Sequence, residues 1–214
     1  MTITVHHLQN SRSQRILWLL EELGMPYEVR RYERNKTTML APPELRRIHP
    51  LGKSPLIEDT DSDGRPRVIA ETGAIIEYIV EKAAGRFGAP PEREAALRYR
   101  YFLHYAEGSL MPVLFVKLVL SRVPLLGRVA AKKFQPMLDV HVNYVESELA
   151  GRAWFAGESF TAADVMMSFP LEAARSRAGI SRDTHPQIFK WLDIIHARPA
   201  YRVALAKGGP YSYA

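Results

Sequence analysis

Residues 2–32 read TITVHHLQNSRSQRILWLLEELGMPYEVRRY. Thr2–Leu8 is rich in β-branched and apolar residues and predicts a buried strand. From Ser11 the period changes. Apolar residues at Ile16, Leu17, Leu19, Leu20 and Leu23 form a helical stripe, which Gly24 stops and Pro26 keeps from resuming. Tyr27–Tyr32 predicts a second strand. Two strands joined through one helix should lie parallel, with a right-handed crossover. His6 and His7 are adjacent in the first strand, so their side chains point to opposite faces. They are expected to be one core and one surface histidine rather than a metal pair.

The pattern continues outward. Glu33–Leu51 is irregular, with Pro42, Pro43 and Pro50. Ser54–Glu58 predicts a third strand, Asp61–Gly64 a turn, and Arg67–Ala70 a fourth strand in an antiparallel hairpin. From Thr72 the stripe Ile75, Ile76, Tyr78, Ile79 predicts a helix. Residues 1–82 thus form an α+β domain in the order β-α-β-β-β-α, with a four-stranded mixed sheet. Residues 83–91 are a linker by their Gly and Pro content. Residues 92–214 are an all-α helical domain, with helices over 92–120, 130–149, 162–176 and 187–197. Pro112 should kink or break the first of these. Thr161-Ala-Ala-Asp164 is a capping box at the start of the third.

The chain has 214 residues, 47% hydrophobic and 24% charged, the balance of an ordinary globular protein. It contains no cysteine. That excludes disulfides, Cys-ligated zinc, iron–sulfur clusters, a CxxC redox pair and a cysteine nucleophile. A net charge of +6 raises anionic partners. Residues 1–82 carry 12 Lys+Arg and 12 Asp+Glu, whereas residues 83–214 carry 17 against 11, so the surplus lies in the linker and helical domain. Gly108–Leu138 contains Lys117, Arg122, Arg128, Lys132 and Lys133 and no acid. Nucleic-acid binding is one reading of this run, and a solvated face is the commoner one. The N-terminus shows no basic region followed by an apolar stretch. The most apolar run, Leu110–Leu120, contains Pro112 and Lys117 and is about half a membrane span. A cytoplasmic protein without a membrane segment is expected.

GxSxG, GxxxxGK[ST], GxGxxG and HExxH are all absent. Three segments remain. Asn10-Ser-Arg-Ser-Gln-Arg15 places two hydroxyls at a helix N-terminus, where an anion is favoured or where a serine simply caps the helix. His49-Pro-Leu-Gly-Lys-Ser-Pro-Leu56 sets a proline directly before a strand. A cis Ser54–Pro55 bond would turn the chain there and leave the Ser54 backbone to a ligand, with Lys53 as a neighbouring cation. Ala70-Glu-Thr-Gly-Ala74 offers a second helix N-terminus with a hydroxyl, and Glu71 to hold an ammonium group. Together they describe a ligand with separated carboxylates and one amino group.

At these residues the chain resembles the cytosolic glutathione transferases. The Ser-x-Ser-x-Arg opening at Ser11, the Pro-x-Gly-Lys-Ser-Pro run, the Glu71-Thr72 pair and Trp154–Asp164 carry the resemblance, which covers nearly the full length. SRSQRILWLLEELGMPYEV and APPELRRIHPLGKSP look most like a bacterial and fungal branch with a serine-type active site. The resemblance implies a thioredoxin-like first domain. It also implies conjugation of the glutathione thiolate to small hydrophobic electrophiles, as in detoxification.

A thiol of ordinary pKa, roughly 8.5, needs a hydroxyl donor and a helix N-terminus to ionise at neutral pH. Ser11 matches the family's serine, Ser13 is the alternative, and Asn10 could assist. Ser54, with Pro55, matches the contact to the cysteinyl backbone. Lys53 matches the contact to the glycine carboxylate, and Glu71 and Thr72 the contacts to the γ-glutamyl end. With no protein thiol, thiol–disulfide exchange is excluded, while conjugation and glutathione-dependent peroxide reduction stay open. The electrophile is expected against His104, Tyr105, Gly108 and Met111, with Tyr101 and Phe115 nearby. A homodimer and no metal are expected. A non-catalytic scaffold or regulator on the same fold is the alternative.

Overall fold

The computed structural model describes residues 2–60, 64–124 and 126–214. They form two compact units, Met1–Gly88 with Ala197–Ala214, and Ala89–His196.

The first unit contains β1 (Ile3–Leu8), α1 (Gln14–Leu23), β2 (Tyr27–Tyr32), a one-turn α2 (Leu45–Ile48), β3 (Leu56–Thr60), β4 (Pro66–Ala70) and α3 (Thr72–Lys82). The sheet order is β2-β1-β3-β4. β1 and β2 run parallel, and β3 runs antiparallel to both of its neighbours. This is the mixed sheet that the sequence predicts. The turn expected at Asp61–Gly64 lies outside the described residues except for Gly64. β3 starts two residues later than expected, after Pro55, which has no N–H for the ladder. Both histidines of β1 are buried, His6 at 0% and His7 at 2% exposure. The expected surface histidine is therefore a second core one, because both faces of β1 are covered.

The second unit contains α4 (Arg93–Tyr105), a π turn (Ala106–Leu110), α5 (Met111–Ser121), α6 (Leu126–Ala150), α7 (Ala162–Arg177) and α8 (Pro186–Ala197). The helix expected over 92–120 is thus interrupted. The π turn accommodates an extra residue, and Pro112 sits in the first turn of α5, where a missing N–H matters least. The run Arg93–Ser121 is long and apolar enough to cross a membrane by length and composition alone. Its Phe102, Leu103, Leu110 and Leu114 are buried in this unit. α7 is buried along Ala162–Ala174, and the capping box at its start is formed. Asp164 accepts from Thr161 N–H at 2.9 Å, the Thr161 hydroxyl at 3.1 Å and Phe155 N–H at 2.9 Å.

A ninth helix, α9 (Pro199–Gly208), closes the first unit, against the expectation that 92–214 is one helical domain. It packs on α1. Trp18 is fully buried against the edge of Tyr201, with ring centroids 5.1 Å apart. Arg198 grips Glu22 at 2.5 and 2.8 Å, and Lys207 meets Glu21 at 2.5 Å. The Arg31 Nε–H donates to the Lys207 carbonyl at 2.7 Å. α1 is consequently buried on more than the one stripe that its apolar period announces.

Candidate active site

The register of the sheet brings the three sequence segments together. His6 of β1 pairs with Leu56 of β3, which pairs with Ala70 of β4. The chain leaves β1 toward Ser11, enters β3 from Ser54 and leaves β4 toward Glu71. All three excursions therefore occur at the same end of the sheet.

After β1, Asn10 adopts a positive φ of 52°, which asparagine tolerates. Its carbonyl accepts from Arg34 at 3.1 Å, and its side-chain oxygen accepts from Ser212 N–H at 2.7 Å. The acceptor of Asn10 is thus engaged by the C-terminal tail. The Ser11 hydroxyl accepts from Ser13 N–H at 3.2 Å and lies 2.7 Å from the Ser13 hydroxyl. Ser13 makes no cap to α1. Its hydroxyl contacts His7 Nδ1 at 2.9 Å and accepts from Leu8 N–H at 3.2 Å. Ser13 is wholly buried, whereas Ser11 keeps 4% exposure.

The Ser54–Pro55 peptide is cis, as the sequence suggests. The Ser54 hydroxyl donates to His6 C=O at 2.9 Å and accepts from Leu8 N–H at 3.3 Å, so its side chain fastens the turn to β1. Lys53 is exposed beside this turn.

Glu71 precedes α3 with φ 69° and ψ 123°, a conformation that costs a non-glycine residue about 1–3 kcal/mol. Its side chain does not cap the helix and is exposed. Its carboxylate is therefore available to a cation at the point where the α3 N-terminus favours an anion. Thr72 is buried, and its hydroxyl accepts from Arg15 at 3.4 Å. Arg15 is itself buried on α1 and ties the two helix N-termini together. The sequence marks Arg15 only as the end of a motif, since burial of an arginine cannot be read from its neighbours.

The expected electrophile contacts divide differently. His104 and Gly108 are exposed, while Tyr105 and Met111 are buried core residues of the second unit. The Tyr105 hydroxyl bonds to His141 Nδ1 at 2.8 Å, and burial pushes its pKa up. Among the described residues no group of three or more His, Asp or Glu could hold a metal ion.

Two family models match the chain, the glutathione S-transferase N-terminal domain over residues 11–82 and the C-terminal domain over residues 127–199. The chain is similar to glutathione S-transferase 3 of Schizosaccharomyces pombe, with 37% identity over 96% of this chain and 87% of the relative. It is similar to glutathione S-transferase 1 of Saccharomyces cerevisiae, with 35% identity over 96% and 94%. It also resembles the crystal structure of a glutathione S-transferase from Actinobacillus pleuropneumoniae. That match has a TM-score of 0.87 and 33% identity, over 99% of this chain and 95% of the other. With the β-α-β-β-β-α unit, the helical unit and these matches in agreement, the chain belongs to the glutathione S-transferase family.

Proposed function

We propose that this protein conjugates the thiolate of glutathione to small hydrophobic electrophiles. One observation carries the proposal: the Ser11 hydroxyl, the cis-proline turn and the Glu71–Thr72 helix start share one end of the sheet. In this reading the ammonium of the γ-glutamyl group meets Glu71. Its carboxylate meets the Thr72 hydroxyl and the α3 N-terminus. The cysteinyl backbone lies along Ser54 and Pro55, and the glycine carboxylate meets Lys53. The sulfur then faces Ser11, whose O–H stabilises S⁻ over SH. Each unit of downward thiol shift corresponds to about 1.4 kcal/mol.

Ser11 is preferred over Ser13 because the Ser13 hydroxyl is enclosed by His7, Leu8 and Ser11. His104 and Gly108 are the retained candidates for contact with the electrophile. Conjugation requires no protein thiol, in keeping with a chain that has no cysteine. The test is retention on immobilised glutathione followed by turnover of a generic aromatic electrophile such as a chlorodinitrobenzene. Retention with turnover is expected, and absence of glutathione binding overturns the reading.

A further inference from the structure

α5 is apolar on all sides, and Lys117 is its only charged residue. That charge is spent inward. Lys117 Nζ donates to the Ala131 carbonyl of α6 at 3.1 Å and to the Gln135 side-chain oxygen. Gln135 in turn donates at 3.1 Å to the carbonyl of Ala178, which follows α7. These contacts mark the inner side of a hairpin made by α5 and α6. Gly127 lets its turn close, since a Cβ there would lie 2.2 Å from the Leu120 carbonyl oxygen.

By the helical period, the opposite side of each helix carries apolar side chains in solvent. Phe115, Val116 and Val119 form one stripe on α5, and Val123 follows in the turn. Leu126, Val129, Met137 and Val140 form a second stripe on α6. Their exposure runs from 39% at Val116 to 76% at Leu126. A helix that is apolar all round is ordinarily covered all round, and exposed apolar area of this extent marks a contact surface. Cations border it. Arg122 lies in the turn, Lys133 within the α6 stripe and Lys132 beside it, all exposed and without an ion pair among the described residues. Gly108–Leu138 holds no acid, and Asp139 accepts from Gln135 on the inner side at 2.7 Å.

We propose that this hairpin docks on an anionic lipid surface. Its aliphatic side chains enter the boundary of headgroups and acyl chains, and Arg122, Lys132 and Lys133 meet the lipid phosphates. Charge and chemistry choose this occupant. A second copy meeting the same face about a twofold axis would set these cations against their own images. Nucleic acid would meet the cations but gain little from valine and leucine side chains, which cannot stack on bases. A protein partner is held by hydrogen bonds as well as apolar area, and the outer stripe of α5 offers no polar side chain. Lipid asks only for apolar area and positive charge. The hairpin lies wholly within the second unit and takes no part in the glutathione chemistry, so either reading can fail alone.

The test is co-sedimentation of the full-length protein with vesicles of phosphatidylcholine, with and without phosphatidylglycerol. Binding is expected where phosphatidylglycerol is present, and should be lost on phosphatidylcholine alone and in high salt. Lys132→Ala combined with Lys133→Ala should weaken it about thirtyfold, the effect of two cations at an anionic surface. Leu126→Ser should weaken it about tenfold or more, since one leucine is withheld from the acyl boundary. Val129→Ser repeats that measurement should Leu126→Ser not fold. Absence of wild-type binding, equal binding to both lipids, or full binding by the serine variant overturns the proposal. Two results overturn it in favour of another occupant. One is a wild-type dimer that binds no vesicle and that Leu126→Ser turns into a monomer in sedimentation velocity. The other is wild-type protein that ignores vesicles but is retained on immobilised polyglutamate.

Discussion

α7 and α1 both begin beside buried hydroxyls, Thr161 in one case and Ser11 and Ser13 in the other. At α7 the polar groups close on themselves. Asp164 takes three donors, all within the segment 155–164, and is wholly buried. At α1 the Ser13 hydroxyl ignores its own helix and reaches to His7 on β1, and Ser11 keeps a sliver of exposure. The same chemistry at a helix start serves packing where donors and acceptors balance locally. It is open to a substrate where they do not.

Ser11→Ala should give the largest effect. Turnover should fall about 100-fold, the scale of removing one preorganised donor, with the midpoint of thermal unfolding unchanged. Steady-state kinetics beside a melting curve decide it, and unchanged turnover removes Ser11 from the reaction. Asp164→Ala should do the reverse. It leaves Phe155 N–H and Thr161 N–H buried without an acceptor and should lower stability by about 3 kcal/mol in urea, while glutathione affinity holds.

The two regions should also respond oppositely to acid. Burial lowers the His7 pKa from 6.5 to about 4. Its contribution is full above pH 6.5 and is lost as the pH falls toward 4, by about 3 kcal/mol. Burial raises the Asp164 pKa to about 6 against the pull of its donors. Its contribution is full below about pH 3.8 and is lost as the pH rises through 6. Urea titrations at pH 7, 5 and 4 should show His7→Phe losing the acid-sensitive limb and Asp164→Asn losing the acid-stabilised one. Parallel curves for wild type and both variants would erase the contrast. The smallest effect is expected from Glu71→Gln, an exposed side chain. KM for glutathione should rise about tenfold with kcat little altered, since the group binds without reacting.

Much of this was legible in the residues. The helical stripe of α1, its left-handed stop at Gly24 with φ 63°, the cis Ser54–Pro55 bond and the Thr161–Asp164 box all follow from local chemistry. The parallel β1–β2 pair and the antiparallel β3–β4 hairpin follow from the connections between them, whereas the central pairing of β1 with β3 comes from the structure. What was hidden depends on distant partners. His7 looks like half of an alternating pair until α9 covers its face. Ser13 looks like a helix cap until the imidazole takes its hydroxyl. The contact of Asn10 with Ser212, 202 residues away, has no local signal either. Tyr105 and Met111 sit at helical spacing that suits a pocket or a core equally, and only tertiary packing assigns them to the core.

Trp18 and Tyr201 touch across most of the length of the chain. On the ribosome the residues of β1 and α1 emerge well before the helix that covers them. The second unit, contiguous in sequence from Ala89 to His196, can complete its contacts while the first still waits. Until residue 208 is made, Trp18 lacks its cover and the His7 ring lacks its neighbour Gly208. Translation that stops short of α9 should therefore release a chain with one finished unit and one that exposes an apolar helix face to chaperones and proteases.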